Sequence, residues 1–321
     1  MLQILTVTFP FFALVLAGYV AARRRMLPIE AIPGLNGFVL YFALPCMLYR
    51  FGASTPLAQL LDPAVFFTYL LCALVMVGFV VAASMNRRIG WNDAAFGALV
   101  AAFPNTGFMG VPLLVALLGA PAAGPAIVTI VVDLVITSSL CIALSRLDGA
   151  DEHGFRTATK NALRGVLVNP MPWAILLGAV ASAVRLELPV PVMQTVGLLA
   201  DAASPVALFT IGAVLARSQI LAARDAHAPL PLRDYLPVAV VKLVLHPLLV
   251  LLVGAAAIKL GVPLSQYALM VIVLVAALPS ASNVALLAER FGADNGRIAR
   301  IILVSTAAAF FTFSGAVALL R

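Results

Sequence analysis

Charge is what this 321-residue chain has least of. Only 10% of its residues are Asp, Glu, Lys or Arg, against about 25% in an ordinary soluble domain. Hydrophobic residues make up 63%. That balance excludes a large soluble domain and points to a chain whose solvent is the lipid bilayer. Cysteine is scarce too: Cys46, Cys72 and Cys141 each fall inside an apolar stretch. Their spacing gives neither pairs nor a metal-ligand set, which leaves them packing roles. No G-x-x-x-x-G-K-[ST], H-E-x-x-H or G-x-S-x-G run occurs, so the chain encodes no ATP-driven motor, zinc protease or serine-hydrolase elbow. No cofactor is called for, and any transport must draw on a gradient. The net charge of +7 is spread over short loops rather than gathered in a patch, which argues against nucleic acid. Residues 1–22 carry no charge and Arg23, Arg24 and Arg25 follow. That is the reverse of a signal peptide and reads as a retained first helix with its N-terminus outside.

What is present in quantity is apolar runs. At about 20 residues per span, the sequence predicts ten helices near 3–22, 33–51, 64–86, 93–119, 122–146, 168–186, 191–217, 235–258, 266–291 and 298–320. Alternate loops carry most of the positive charge: Arg23–Arg25, Arg87–Arg88, the Arg146–Arg164 loop, the Arg217–Arg233 loop, and Arg290 to Arg300. The other set holds only Arg50, Arg185, Lys259 and Arg321. The positive-inside bias therefore predicts a multi-pass protein of the inner (plasma) membrane with both termini outside.

The halves resemble each other. At an offset of 160, Pro10 matches Pro170, Gly18 matches Gly178, and Pro45, Leu48, Gly52 and Ala53 match Pro205, Leu208, Gly212 and Ala213. At an offset of 175, Ala-Ala-Phe-Pro104 matches Ala-Ala-Leu-Pro279. Five spans per half, an odd number, invert one half relative to the other. The expected fold is all-α and integral to the membrane, with ten transmembrane helices as two inverted five-helix repeats, residues 1–146 and 168–321. Inverted repeats of this kind underlie alternating access. Residues 147–167 form a polar cytoplasmic linker. Its Asp148, Asp151, Glu152 and His153 read as a solvated loop rather than a metal site, since no ligand spacing is evident.

Helices 4 and 9 are each interrupted. Proline removes an N–H and clashes with the carbonyl four residues back, and broken backbone in a membrane is tolerated only where protein buries it or a cavity meets it. Beside Pro104 stand Asn105, Thr106 and Gly107; beside Pro279 stand Ser280, Ser282 and Asn283. Amides and hydroxyls can donate to an oxygen ligand, glycine allows close approach, and a half-helix N-terminus favours an anion. The competing reading is a pair of kinks whose polar side chains satisfy themselves. Four ionisable residues also lie within spans: Asp133, Asp201, Lys242 and His246. Each costs about 2.5–3.5 kcal/mol facing lipid, so each should face protein or water. Asp133 shares a stripe with Thr129 and Thr137 and stands equally for a coupling proton or cation site and for a structural pair. Asp201, Lys242 and His246 favour structural roles, with snorkelling open to Lys242.

Pro104-Asn105-Thr106-Gly107-x-x-Gly110-x-Pro112, Ser204-Pro205-x-x-Leu208-Phe209-x-x-Gly212 and Leu278-Pro279-Ser280 resemble the auxin efflux carrier family. Its bacterial members include proteins described as malonate or other organic-acid permeases. The resemblance covers essentially the whole chain. It implies a scaffold of helices 1, 2, 6 and 7 that often dimerises, and a transport unit of helices 3–5 and 8–10 that moves as an elevator. It also implies crossed broken helices at which Asn105 binds a substrate carboxylate. Ser280 follows Pro279 where a symmetric asparagine would stand, and Asn283 comes three residues later. The long hydrophilic loop of many plant members is absent, which argues against auxin itself. The expected function is transport of a small organic anion. A sodium-coupled symporter like the bile-acid carriers, a non-transporting receptor or sensor, and an intramembrane enzyme using Asp133 and Asp201 stand as alternatives.

Overall fold

A computed structural model of the chain describes residues 2–147, 164, 167–224 and 231–320. The acidic cluster with His153 lies outside them. The described residues are helical and contain no strand. In chain order the helices are α1 (Leu2–Arg23), α2 (Ile29–Ser54), α3 (Pro63–Ser84), α4 (Trp91–Ala102), α5 (Thr106–Leu118), α6 (Ala120–Leu144), α7 (Pro170–Val184), α8 (Val190–Arg224), α9 (Leu232–Lys259), α10 (Gln266–Ala276), α11 (Asn283–Phe291) and α12 (Asn295–Leu320). Among the described residues, seven helical stretches are long and apolar enough to cross a membrane: α1, α2, Leu57–Ser84, α6, α8, α9 and α12. The shorter apolar helices are α5, α7 and α10. Large apolar side chains such as Phe9, Leu198, Leu252, Phe311 and Leu319 stand exposed, as a lipid solvent allows.

Proline shapes these helices in three different ways. Val39–Ala43, Thr106–Gly110 and Val241–Leu245 are π-helical. Each precedes a proline, Pro45, Pro112 and Pro247, and the residue four back from it (Tyr41, Phe108, Leu243) sits inside the widened turn. Widening the turn draws that carbonyl away from the ring that would clash with it. Pro10 and Pro205 instead lie inside α1 and α8. Pro170 opens α7, where its missing N–H costs nothing and the Asn169 side chain accepts from Met171 N–H at 3.0 Å. Prolines matched by the repeat therefore do different local work. A fourth π segment, Val132–Thr137, has no such proline. Its Ser138 hydroxyl donates to the Asp133 carbonyl at 2.8 Å.

The chain divides into two compact units. The first comprises Met1–Asp62, Thr106–Val128 and Asn169–His227; the second comprises Pro63–Asn105, Thr129–Val168 and Ala228–Arg321. The division falls inside the fourth apolar run, between Asn105 and Thr106.

In the first unit α1 packs on α8 and α2 on α7, through glycines. A methyl on Gly18 would strike the Phe209 carbonyl, and one on Gly212 the Val15 carbonyl. A methyl on Gly52 would lie 3.2 Å from Gly178 Cα, and one on Gly178 would lie 2.7 Å from the Tyr49 carbonyl oxygen. Lipid tails are as apolar as leucine, so helices in a bilayer associate by such close backbone packing and by hydrogen bonds. These four glycines are the two glycine pairs matched at offset 160. Exchanging the halves puts α7 in place of α1 and α8 in place of α2, which turns one pairing into the other. Tyr19 donates to Gln219 Oε1 at 2.5 Å and Ser182 to the Thr55 carbonyl at 2.8 Å.

The second unit holds its polar groups inside. Along α4, Ala94 to Ala102 are buried all round, as are Val271 to Ala276 of α10. Arg297, expected among the loop charges, is only 2% exposed. Its Nε donates to the Asp234 carbonyl at 2.7 Å and its Nη1 to the Asp93 carbonyl at 2.7 Å. Gly97 makes the room: a methyl there would lie 2.9 Å from Nη1.

Candidate functional site

The second unit brings the two helix breaks together. Pro104 and Ser280 form an antiparallel bridge. Asn105 N–H donates to the Pro279 carbonyl at 2.8 Å, and Ala281 N–H donates to the Phe103 carbonyl at 2.9 Å. Groups that the prolines cut out of the helical ladder thus satisfy each other, as buried backbone must. Pro104 takes the non-hydrogen-bonded position of the bridge, the one place in such a pair where a missing N–H is not needed. The repeat aligned Pro104 with Pro279; in space Pro104 lies opposite Ser280, one residue on.

Around this bridge the side chains divide into satisfied and unsatisfied. Ser280 N–H faces Ser305 Oγ at 3.3 Å, and the Ser305 hydroxyl donates to Ser280 Oγ at 3.2 Å. Ser282 is buried at the start of α11, and its carbonyl accepts from Ala285 N–H at 3.3 Å. Asn105 Oδ1 and Asn283 Oδ1 are buried and have no partner among the described residues. Most buried polar atoms are paired, so an orphan asks for an explanation. Two amide side chains with an unmet oxygen, on the two breaks of one unit, point to a ligand toward which each amide can turn either its oxygen or its two N–H groups. In the first unit, Thr106 Oγ1 is likewise buried without a partner, and a methyl on Gly107 would meet Met171 Cε at 3.1 Å.

The intramembrane ionisable residues separate. Asp201, in the first unit, has a side chain 70% exposed and pairs with Arg50 Nη1 at 2.7 Å. Asp133, Lys242 and His246, in the second unit, are fully buried. Asp133 accepts from Tyr69 Oη at 3.0 Å and from Thr137 Oγ1 at 3.2 Å. Asp133 and Asp201 thus have different partners, an arrangement unlike the shared carboxylate pair of an enzyme. Lys242 does not snorkel: its Nζ donates to the Ala276 carbonyl at 2.8 Å and lies 3.0 Å from His246 Nδ1.

Sequence reasoning missed Tyr69, Arg297, Ser305 and the Ala276 carbonyl. A lone phenol in the apolar α3 run was the available signal for Tyr69. The carbonyl could not be foreseen, because only the break at Pro279 frees it. Among the described residues no group of three His, Cys, Asp or Glu side chains could hold a metal. A cavity of about 120 Å³ lies beside Asn86, Arg233, Asp234 and Arg297, and no crossover residue lines it.

Known proteins resemble this chain along most of its length. A protein of Rhizobium meliloti (strain 1021) named "Putative malonate transporter" is 28% identical over 322 residues, covering 100% of this chain and 97% of that protein. "Uncharacterized transporter YfdV" of Escherichia coli (strain K12) is 29% identical over 293 residues, covering 88% of this chain and 86% of its own. Residues 3–317 match the family described as membrane transport protein. With paired helix breaks, apolar helices long enough to span a bilayer and that match over nearly its whole length, the chain is a membrane transport protein, not an enzyme, and belongs to the auxin efflux carrier family.

Proposed function

We propose that the protein is a secondary transporter of a small organic anion, of malonate size and bearing at least one carboxylate, bound at the crossover of the two broken helices. The observation that carries this reading is the pair of unmet amides, Asn105 and Asn283, beside the Pro104–Ser280 bridge. Each amide can turn its N–H groups toward a carboxylate, and the start of α11 adds the positive end of its dipole. Pro279, Ser280 and Ser282 complete the substrate-binding set of the second unit; Thr106 and Gly107, next along the chain from Asn105, belong to the first unit. Malonate is the first ligand to try because a relative matched over 97% of its length bears its name.

The proposed architecture is ten spans in two inverted five-helix repeats, with both termini outside the inner membrane. The α1–α8 and α2–α7 glycine pairings, which interchange when the halves do, support that arrangement. Spans 1, 2, 6 and 7 would form a scaffold, the natural place for a homodimer contact. Spans 3–5 and 8–10 would move as an elevator to alternate access.

Reconstituted protein should exchange labelled malonate across a vesicle membrane. A hydrogen bond to a charged group contributes about 1.5–3 kcal/mol, so Asn105→Ala should slow exchange about 10- to 100-fold. Wild-type exchange by the alanine variant would remove the site assignment, and no flux by any form would favour a receptor. A sodium-coupled symporter is the second reading, because the unmet amide oxygens are also what a sodium ion would take. Replacing sodium by choline in the same vesicles separates the two.

A further inference from the structure

Three charged or titratable side chains, Asp133, Lys242 and His246, are buried in the second unit in a single network with Tyr69. Asp133 and Lys242 both lie in π-helical turns, Val132–Thr137 and Val241–Leu245, an irregularity frequent at functional positions. Asp133 and Lys242 meet the Tyr69–His246 ring pair from its two ends, Asp133 at the phenol and Lys242 at the imidazole. The Tyr69 phenol bonds Asp133 at 3.0 Å, and its ring stands 6.1 Å from the His246 ring. His246 Nδ1 lies 3.0 Å from Lys242 Nζ, while His246 Nε2 is buried with no partner among the described residues.

The network ends on the helix break. In an unbroken helix the Ala276 carbonyl would accept from Ser280 N–H; here Ser280 N–H turns to Ser305, and Lys242 Nζ takes the freed carbonyl at 2.8 Å. The ammonium thus sits at the carboxyl end of α10, where a cation is favoured, two residues before Leu278-Pro279.

We propose that Asp133 and Lys242 form a proton site that couples anion binding at the crossover to the proton gradient, a proposal that rests on the crossover reading. With Asp133 ionised, the Lys242 ammonium is neutralised inside the network. A proton arriving on an Asp133 carboxylate oxygen removes that counter-charge. The Lys242 charge is then uncompensated beside the second break, and an organic anion at the crossover replaces the missing negative charge. Loss of the proton on the far side restores the negative charge of Asp133 inside the network and expels the anion. One proton and one anion then cross together. The other titratable groups near the network are the Cys72 and Cys141 thiols. Asp234 stands at the start of α9 itself, and the elements packed on α9 also bring Asp93, Asp294 and Arg297; the Arg297 guanidinium donates to the Asp93 and Asp234 carbonyls, and Asp294 accepts from Arg297 N–H.

The test uses vesicles containing the full chain, free of sodium, with the membrane potential clamped by potassium and valinomycin and a pH dye trapped inside. Labelled malonate is the probe. Equal malonate on both sides reads exchange; an inward acid gradient reads coupling. Wild type should exchange malonate. It should also concentrate malonate about tenfold per pH unit for each proton carried, and acidify the interior as it does so. Asp133→Asn, whose amide oxygen still accepts from Tyr69, should lose accumulation and the proton signal, and its exchange should no longer respond to pH. Three results overturn the proton site while leaving the crossover reading intact: exchange by wild type without gradient-driven accumulation, a requirement for sodium, or accumulation by Asp133→Asn equal to wild type. Absence of wild-type exchange in these vesicles and again after sodium is added removes both. The wild-type measurement decides the matter alone should the variant not fold.

Discussion

The two units solve the problem of lipid in opposite ways. The first keeps its interior close and dry. Gly18, Gly52, Gly178 and Gly212 bring backbones together, and its one intramembrane acid, Asp201, faces outward onto Arg50. The second buries Asp133, Lys242, His246 and Arg297 and leaves amide oxygens unmet at a helix break. Glycine contacts depend on a single geometry and favour a rigid body. Buried polar groups without partners cost stability, and structures retain them where a ligand or a proton repays the cost. The first unit is held by close backbone contacts, and the second carries the buried charges and the two unmet amide oxygens.

Substitutions can break that contrast, beginning with the first unit. Gly212→Ala sets a methyl against the Val15 carbonyl, backbone against backbone with no flexible side chain to yield. It should cost about 3 kcal/mol or leave no monodisperse protein, read as the unfolding temperature in detergent. Gly34→Ala, with open space around it, should be neutral or slightly stabilising; equal losses at both positions would refute the close-packing account. In the second unit, Arg297→Met strips donors from the Asp93 and Asp234 carbonyls and should cost about 2–3 kcal/mol. Gly97→Ala displaces the same guanidinium and should cost about 1–2 kcal/mol. A double variant whose loss equals the larger single loss would place both on one contact. The smallest effect on transport belongs to Asp201→Asn: its partner is Arg50 of the first unit, so malonate exchange should stay near wild type.

Much of this was legible in the sequence, for particular reasons. The breaks at Pro104 and Pro279 could be read because proline's missing N–H acts locally. The glycine pairs could be read because a repeat preserves spacing, although their partners, Phe209, Val15 and Tyr49, could not. Asp133 and Lys242 stood out against an apolar background; that Lys242 reaches the Ala276 carbonyl depends on how the second unit packs. Arg297 was misplaced among the loop charges because burial of an arginine three residues into a helix leaves no mark on hydropathy. The one-residue offset that sets Pro104 against Ser280 is a property of strand-like pairing, which no helical period encodes. Ser280 and Asn283 were equal candidates by position. Ser305 separates them by satisfying Ser280 and leaving Asn283 open.

The central claim, a carboxylate held at the crossover by Asn105, is tested most directly by calorimetric titration of malonate into purified protein. Wild type and Asp201→Asn should bind with the same dissociation constant, and Asn105→Ala about 10- to 100-fold more weakly. Equal affinity of Asn105→Ala and wild type would contradict it.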